Sequence, residues 1–161
     1  MKQKLPDLRA AIDIGSHSCI LLIAAFETDE SGKEKLVPKI QKVEVCRLGE
    51  DIYESGKITA ERQEELSRIL SRFRSDVHAL GAKINEAVAT EAMRKAENSE
   101  EVLDSIEKAL WKRPRIISGE EEAEKAAQKF ADLFGSANKI DLSGMTVQLD
   151  DVVAQLKEIS Q

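Results

Sequence analysis

Ala10-Ala11-Ile12-Asp13-Ile14-Gly15-Ser16-His17-Ser18-Cys19-Ile20-Leu21-Leu22-Ile23-Ala24 is the stretch from which the fold is read. Two apolar runs flank a short polar turn, and both read as buried strands. Gly15 allows the backbone to turn tightly. Ser16 and Ser18 bring hydroxyls, and successive backbone N–H groups in such a turn form a concavity for phosphate oxygens. Asp13 closes an apolar strand, a poor position for packing and a good one for holding a metal-bound water. The plainer alternative is a hairpin with a polar turn, and this stretch alone leaves both open.

Working outward, Thr28 to Glu34 is a polar, glycine-containing hairpin loop, and residues 35–46 follow as a partly alternating strand. Pro38 inside that strand points to a sheet edge or a bulge. Residues 8–13, 19–26 and 35–46 therefore open the fold as three consecutive antiparallel strands. After a loop to Lys57, Thr59 N-caps a helix whose apolar face is Leu66, Ile69, Leu70, Phe73, Val77 and Leu80, stopped by Gly81. Residues 84–89 read as a short strand. Asn98 with Glu101 makes a capping-box-like start for a helix bearing Val102, Leu103, Ile106 and Leu110. Pro114 precedes a strand at 115–117. Ser118-Gly119 then leads into a helix with Ala123, Ala126, Ala127, Phe130 and Leu133, and Val152, Val153, Leu156 and Ile159 mark a last amphipathic helix. This order is that of an α/β, ribonuclease-H-like half: a mixed sheet of about five strands, the first three antiparallel, with flanking helices. Residues 1–135 are expected to form one domain, with 136–161 a connector and C-terminal helix packed on it.

The 161 residues suffice for one domain with a proper core. Scarce aromatics suit an aliphatic α/β core. A net charge of −6 argues against a general nucleic-acid binder but leaves room for a small polyanion, which a local cluster and a divalent cation can hold. Met1 to Leu8 is too polar for a signal peptide, and no apolar run approaches membrane length. Cys19 and Cys46 sit in apolar strand patterns as buried structural thiols, with no CxxC and no metal spacing. A cytoplasmic location is expected.

Four constellations fall at strand ends or helix starts: Asp13 with Gly15-Ser16-His17-Ser18; Arg47-Leu48-Gly49-Glu50; Ala89-Thr90-Glu91-Ala92-Met93-Arg94; and Ser118-Gly119-Glu120-Glu121-Glu122-Ala123. The guanidinium forks of Arg47 and Arg94 suit phosphate, although each alone reads more simply as a solvated surface residue. Three consecutive carboxylates favour a helix N-terminus, and one of them pointing into a cleft would orient a water for attack on phosphorus. There is no Ser–His–Asp set and no P-loop.

Taken in this order, AAIDIGSHSCILLIA, RLGEDIYESGKIT, VATEAMRKAEN and IISGEEEA resemble the exopolyphosphatase/guanosine pentaphosphate phosphatase (Ppx/GppA) family of the actin-like ATPase superfamily, over roughly residues 9–123. The resemblance implies hydrolysis of terminal phosphoanhydride bonds of polyphosphate or pppGpp with a divalent cation, usually Mg2+. It implies that Asp13 is a catalytic carboxylate close to metal and water. Gly15, Ser16, His17 and Ser18 become the phosphate loop, with His17 standing where the family usually has Asn. Arg94 becomes a phosphate-contacting residue, Arg47 a weaker one, and Glu122 the catalytic base.

Family members continue from SGEEEA to a second, D-x-GGGS-type phosphate loop. Here Glu124 to Phe134 is charged and Ala-rich, and no glycine-rich loop follows within the 161 residues. The expectation is therefore a phosphoanhydride hydrolase at family level whose turnover in this polypeptide is weak or absent. The competing readings are a non-catalytic polyphosphate- or guanosine-phosphate-binding module and a truncated domain. A homodimer is expected, from the apolar surface a half-domain exposes.

Overall fold

The structure, a computed structural model, describes residues 7–119. The elements run β1 (Asp7–Ile14), β2 (Ser18–Thr28), β3 (Glu34–Val45), α1 (Ile52–Ser55), α2 (Ala60–Ala79), β4 (Lys83–Ala89), α3 (Glu91–Lys95), α4 (Ser99–Leu110) and β5 (Arg115–Ile116). Among the described residues the strands form one sheet in the order β3-β2-β1-β4-β5. β1–β2 and β2–β3 pair antiparallel, whereas β1–β4 and β4–β5 pair parallel. This is the mixed sheet read from the sequence, with Leu8 to Asp13 paired against Ala25 to Ile20.

Side-chain alternation explains the two long apolar runs. Ala10, Ile12 and Ile14 of β1 join Cys19, Leu21 and Ile23 of β2 and Ala87 and Ala89 of β4 on one face. Against that face pack Leu66, Ile69, Leu70, Phe73 and Val77 of α2 with Val102, Ile106 and Leu110 of α4. Ala11, Leu22 and Val88 point to the opposite face and are also fully buried. Asp13 lies on this second face, between Ile20 and Val88 as cross-strand neighbours.

Pro38 behaves as expected. β3 is an edge strand, and the register jumps from Ile23↔Ile40 to Ala24↔Pro38, a bulge beside the proline. Thr59 caps α2 by accepting the Arg62 N–H at 3.4 Å, and Gly81 follows the helix with a φ of +65°. Asn98 differs from expectation, because its side chain makes no cap bond to α4. Its amide instead clasps the peptide of Ile58, the oxygen accepting Ile58 N–H at 3.0 Å and the nitrogen donating to Ile58 O at 2.9 Å. Ile58 is 1% exposed, so its backbone groups need partners; the Asn98 amide serves both, and Gln63 Nε2 also donates to Ile58 O at 3.2 Å. Trp111 stands 79% exposed, with the Arg74 guanidinium 4.2 Å from its ring centroid.

No described helix is long and apolar enough to cross a membrane. Glu122, the helix read around Ala123 to Leu133 and the segment 136–161 lie outside the described residues.

Candidate functional site

β1 and β4 are parallel neighbours, so their carboxyl ends share one edge of the sheet, where open α/β sheets place their ligands. Asp13 is the penultimate residue of β1 and only 7% exposed. The turn after it is tight. Gly15 N–H donates to Ser18 O at 2.9 Å, and a Cβ on Gly15 would meet that oxygen at 2.8 Å, so no side chain fits.

The Arg47-Leu48-Gly49 motif, with Cys46 before it, grips this turn through three main-chain bonds. His17 O accepts from Cys46 N–H at 2.8 Å and Arg47 N–H at 2.9 Å, and Ser16 O accepts from Gly49 N–H at 2.9 Å. Close approach explains Gly49, where a Cβ would lie 3.3 Å from Ser16 Cβ. Arg47 adopts a left-handed φ of 51° to make this contact. Its guanidinium is about half exposed and lies 3.6 Å from the Glu50 carboxylate, and Leu48 is buried in the core. The Arg47-Leu48-Gly49 motif thus acts here through its backbone, as a buttress. Cys46 adds its thiol, donating to Gly15 O at 3.4 Å. Cys19 and Cys46 are both free and buried; the hydrogen bond to Cys46, with burial, pushes the Cys19 thiol well above its ordinary range.

From the other side, Ser16 Oγ accepts the Ala92 N–H of α3 at 3.0 Å. This hydroxyl, expected to wrap phosphate, is the cap of a helix from a distant part of the chain. Arg94, two residues further along α3, donates from Nη1 to Ile117 O at 2.7 Å. Ile117 N–H in turn donates to Ala89 O at 3.0 Å, extending the β4–β5 ladder. Gly119 sits beside the same guanidinium, where a Cβ would be 3.8 Å from Arg94 Nη2. The turn, the buttress, Arg94 and the Ile116-Ile117-Ser118-Gly119 segment are therefore joined by hydrogen bonds and contacts. Glu122 lies outside the described residues, and Ser18 is partly exposed at the start of β2.

Two buried polar atoms at this lip have no hydrogen-bond partner among the described residues: His17 Nε2 and Thr90 Oγ1. Thr90 is 2% exposed. Nothing in the sequence singles out Thr90, because the helix that follows it is only five residues long.

Among the described residues no three His, Cys, Asp or Glu side chains converge as a metal cluster. A hard cation of the magnesium type needs less, since it is commonly held by one or two carboxylates plus substrate phosphates. Asp13 beside the turn fits that requirement. A groove of about 540 Å³, floored by Val77, Ile84 and Leu110, opens at the start of β4, the opposite end of the strand from Thr90, and takes no part in this site.

The model of the "Ppx/GppA phosphatase family" matches residues 28–152. A "Bifunctional 3-dehydroquinate synthase/phosphatase" of Fusobacterium nucleatum is 31% identical over 124 residues, covering 76% of this chain and 19% of that protein. "Exopolyphosphatase 1" of Mycobacterium tuberculosis is 28% identical over 153 residues, covering 92% of this chain and 43% of that protein. The chain thus spans less than half the length of these relatives. A solved structure of the Aquifex aeolicus Ppx/GppA family member superposes with a TM-score of 0.67 at 30% identity, covering 78% of this chain and 39% of that one. An exopolyphosphatase structure from Cytophaga hutchinsonii, at 23% identity and a TM-score of 0.65, shares the fold. The family match over most of the chain, together with the superposition on the Aquifex aeolicus family member, places this chain in the Ppx/GppA phosphatase family.

Proposed function

We propose that the lip formed by Asp13, the Gly15–Ser18 turn and Arg94 is one half of a site that hydrolyses the terminal phosphoanhydride bond of polyphosphate or of a guanosine polyphosphate. The observation that carries this reading is the convergence of the sequence motifs on one sheet edge: Ser16 bonds to Ala92, His17 to Cys46 and Arg47, and Arg94 to Ile117. Such cross-bracing holds a phosphate-sized anion without reorganisation, which is where most catalytic stabilisation originates.

Asp13 would hold Mg2+ together with phosphate oxygens, and the cation would supply neutralisation of phosphoryl charge. The turn orients the chain of phosphates, and the positive charge of Arg94 lies beside them. Glu122 is proposed as the base. It accepts a proton from water as the new oxygen–phosphorus bond forms, and the bridging P–O bond breaks to release the shortened polyphosphate.

The 161 residues contain no D-x-GGGS loop. Each pre-organised donor removed from a site costs about 2.7–4 kcal/mol, roughly a hundred- to thousandfold in rate. The polypeptide assayed alone is therefore a binder of polyphosphate with turnover near background. The site is proposed to work in the cytoplasm, as a homodimer, without nucleic-acid or membrane partners. Magnesium-dependent phosphate release from polyphosphate and pppGpp, beside a binding titration with each, tests these statements. Binding without turnover supports the half-site. Robust turnover lost in Glu122→Ala restores full enzymatic competence to the chain. Absence of binding removes the phosphate reading.

A further inference from the structure

Thr90 stands where a helix N-cap should be, yet another residue does its work. An N-cap threonine ordinarily accepts the N–H of the second or third helical residue. Here the second of these, Ala92 N–H, is taken by Ser16 Oγ at 3.0 Å, and Thr90 makes no side-chain cap bond. Thr90 N–H donates to Ile14 O at 3.2 Å, which sets the residue alongside Gly15. Val88, two residues earlier, is the cross-strand neighbour of Asp13, so Thr90 leaves β4 at the sheet edge where Asp13 lies, its φ of −117° and ψ of −141° departing from strand geometry. The residue is 2% exposed, and its Oγ1 is buried without a partner among the described residues.

A buried hydroxyl left unpaired costs stability, and removing it in favour of an isosteric methyl is neutral or stabilising. A fold that takes the cap from Ser16 of the β1–β2 turn, and keeps the threonine hydroxyl buried without a partner among the described residues, holds that hydroxyl for something else. We infer that Thr90 is a ligand-binding residue of the lip, its Oγ–H donating to an oxygen of the phosphate group held between Asp13 and the turn. The inference rests on the phosphate-site reading and adds to it a neutral donor fixed to the sheet rather than to a mobile side chain.

The test uses the full 161-residue chain with inorganic tripolyphosphate and magnesium as the probe, read by calorimetric titration, and urea unfolding without ligand. Thr90→Val is expected to raise the urea midpoint while weakening tripolyphosphate binding roughly tenfold to a hundredfold, the span of one hydrogen bond to a charged group. Thr90→Ser, which keeps the hydroxyl, is expected to retain wild-type affinity. Opposite signs in stability and binding are what a merely structural threonine would not produce. Undiminished binding by Thr90→Val overturns the inference and leaves the phosphate site standing. A lowered urea midpoint in Thr90→Val also overturns it, by assigning the hydroxyl to the fold. Failure of the wild-type chain to bind tripolyphosphate overturns the phosphate-site reading itself and this inference with it.

Discussion

Replacing Gly15 by alanine isolates what the turn between β1 and β2 requires. The backbone at Gly15 is not among the positive-φ positions, so the penalty is steric. The new Cβ would lie 2.8 Å from Ser18 O, the acceptor of the Gly15 N–H bond, and neither atom is the end of a flexible side chain. Relief therefore means moving backbone that His17 O ties to Cys46 and Arg47 and that Ser16 O ties to Gly49. Forced overpacking costs about 1–3 kcal/mol, and weakening one main-chain hydrogen bond adds roughly 1 kcal/mol. Gly15→Ala is thus expected to destabilise the chain by about 2–4 kcal/mol in urea unfolding, with an unchanged m-value. Gly32→Ala serves as the control. Its φ of 81° strains an alanine, but a Cβ there meets nothing within 4 Å, so it costs only about 1–2 kcal/mol. A Gly15→Ala midpoint equal to wild type, or no worse than that of Gly32→Ala with wild-type tripolyphosphate binding, would refute the steric account of the turn.

Asn98→Ala leaves the Ile58 N–H buried without its acceptor, Ile58 O keeping Gln63 Nε2 at 3.2 Å, and should cost about 1–3 kcal/mol, whereas Asn98→Asp, which keeps the acceptor, should cost less; equal midpoints for both variants would sink the clasp. Arg94→Leu removes the donor to Ile117 O and is expected to speed amide exchange across residues 115–119 and to weaken tripolyphosphate binding, and unchanged exchange there would show that Arg94 does not brace β5. Asp13→Asn should abolish the magnesium dependence of tripolyphosphate binding measured by titration, and a retained dependence would move the cation to other residues.

The meander and the crossovers were legible because they are written in side chains. The apolar runs that become β1 and β2 stop at a glycine turn, and Pro38 announces an edge. The apolar stripe from Leu66 to Val77 has helical period and is buried against the sheet. What escaped is written in backbone or in very short segments. α1 and α3 span four and five residues, too few for a periodic signal. Arg47 attracted notice for its guanidinium, whereas the fold uses its N–H. Ser16 was read as a phosphate hydroxyl and Thr90 as part of a helix start. The exchange of capping duty between them is a tertiary event, because Ser16 and Ala92 lie 76 residues apart. Asn98 likewise carries the residue type of a cap and spends its amide on a peptide 40 residues away.

The Ser16–Ala92 bond also bears on how the chain acquires its site during synthesis. The β1–β2 hairpin is local and leaves the ribosome early, but its serine clasp closes only once Ala92, 76 residues beyond Ser16, has been made. Closing so long a loop is entropically slow, and β4 must be seated beside β1 first. Until then the nascent hairpin has only part of its support, since Cys46, Arg47 and Gly49 join it before Ala92 does. The turn is therefore assembled in two instalments, and a fragment that ends before Ala92 contains the loop sequence without the loop as it stands in the finished domain.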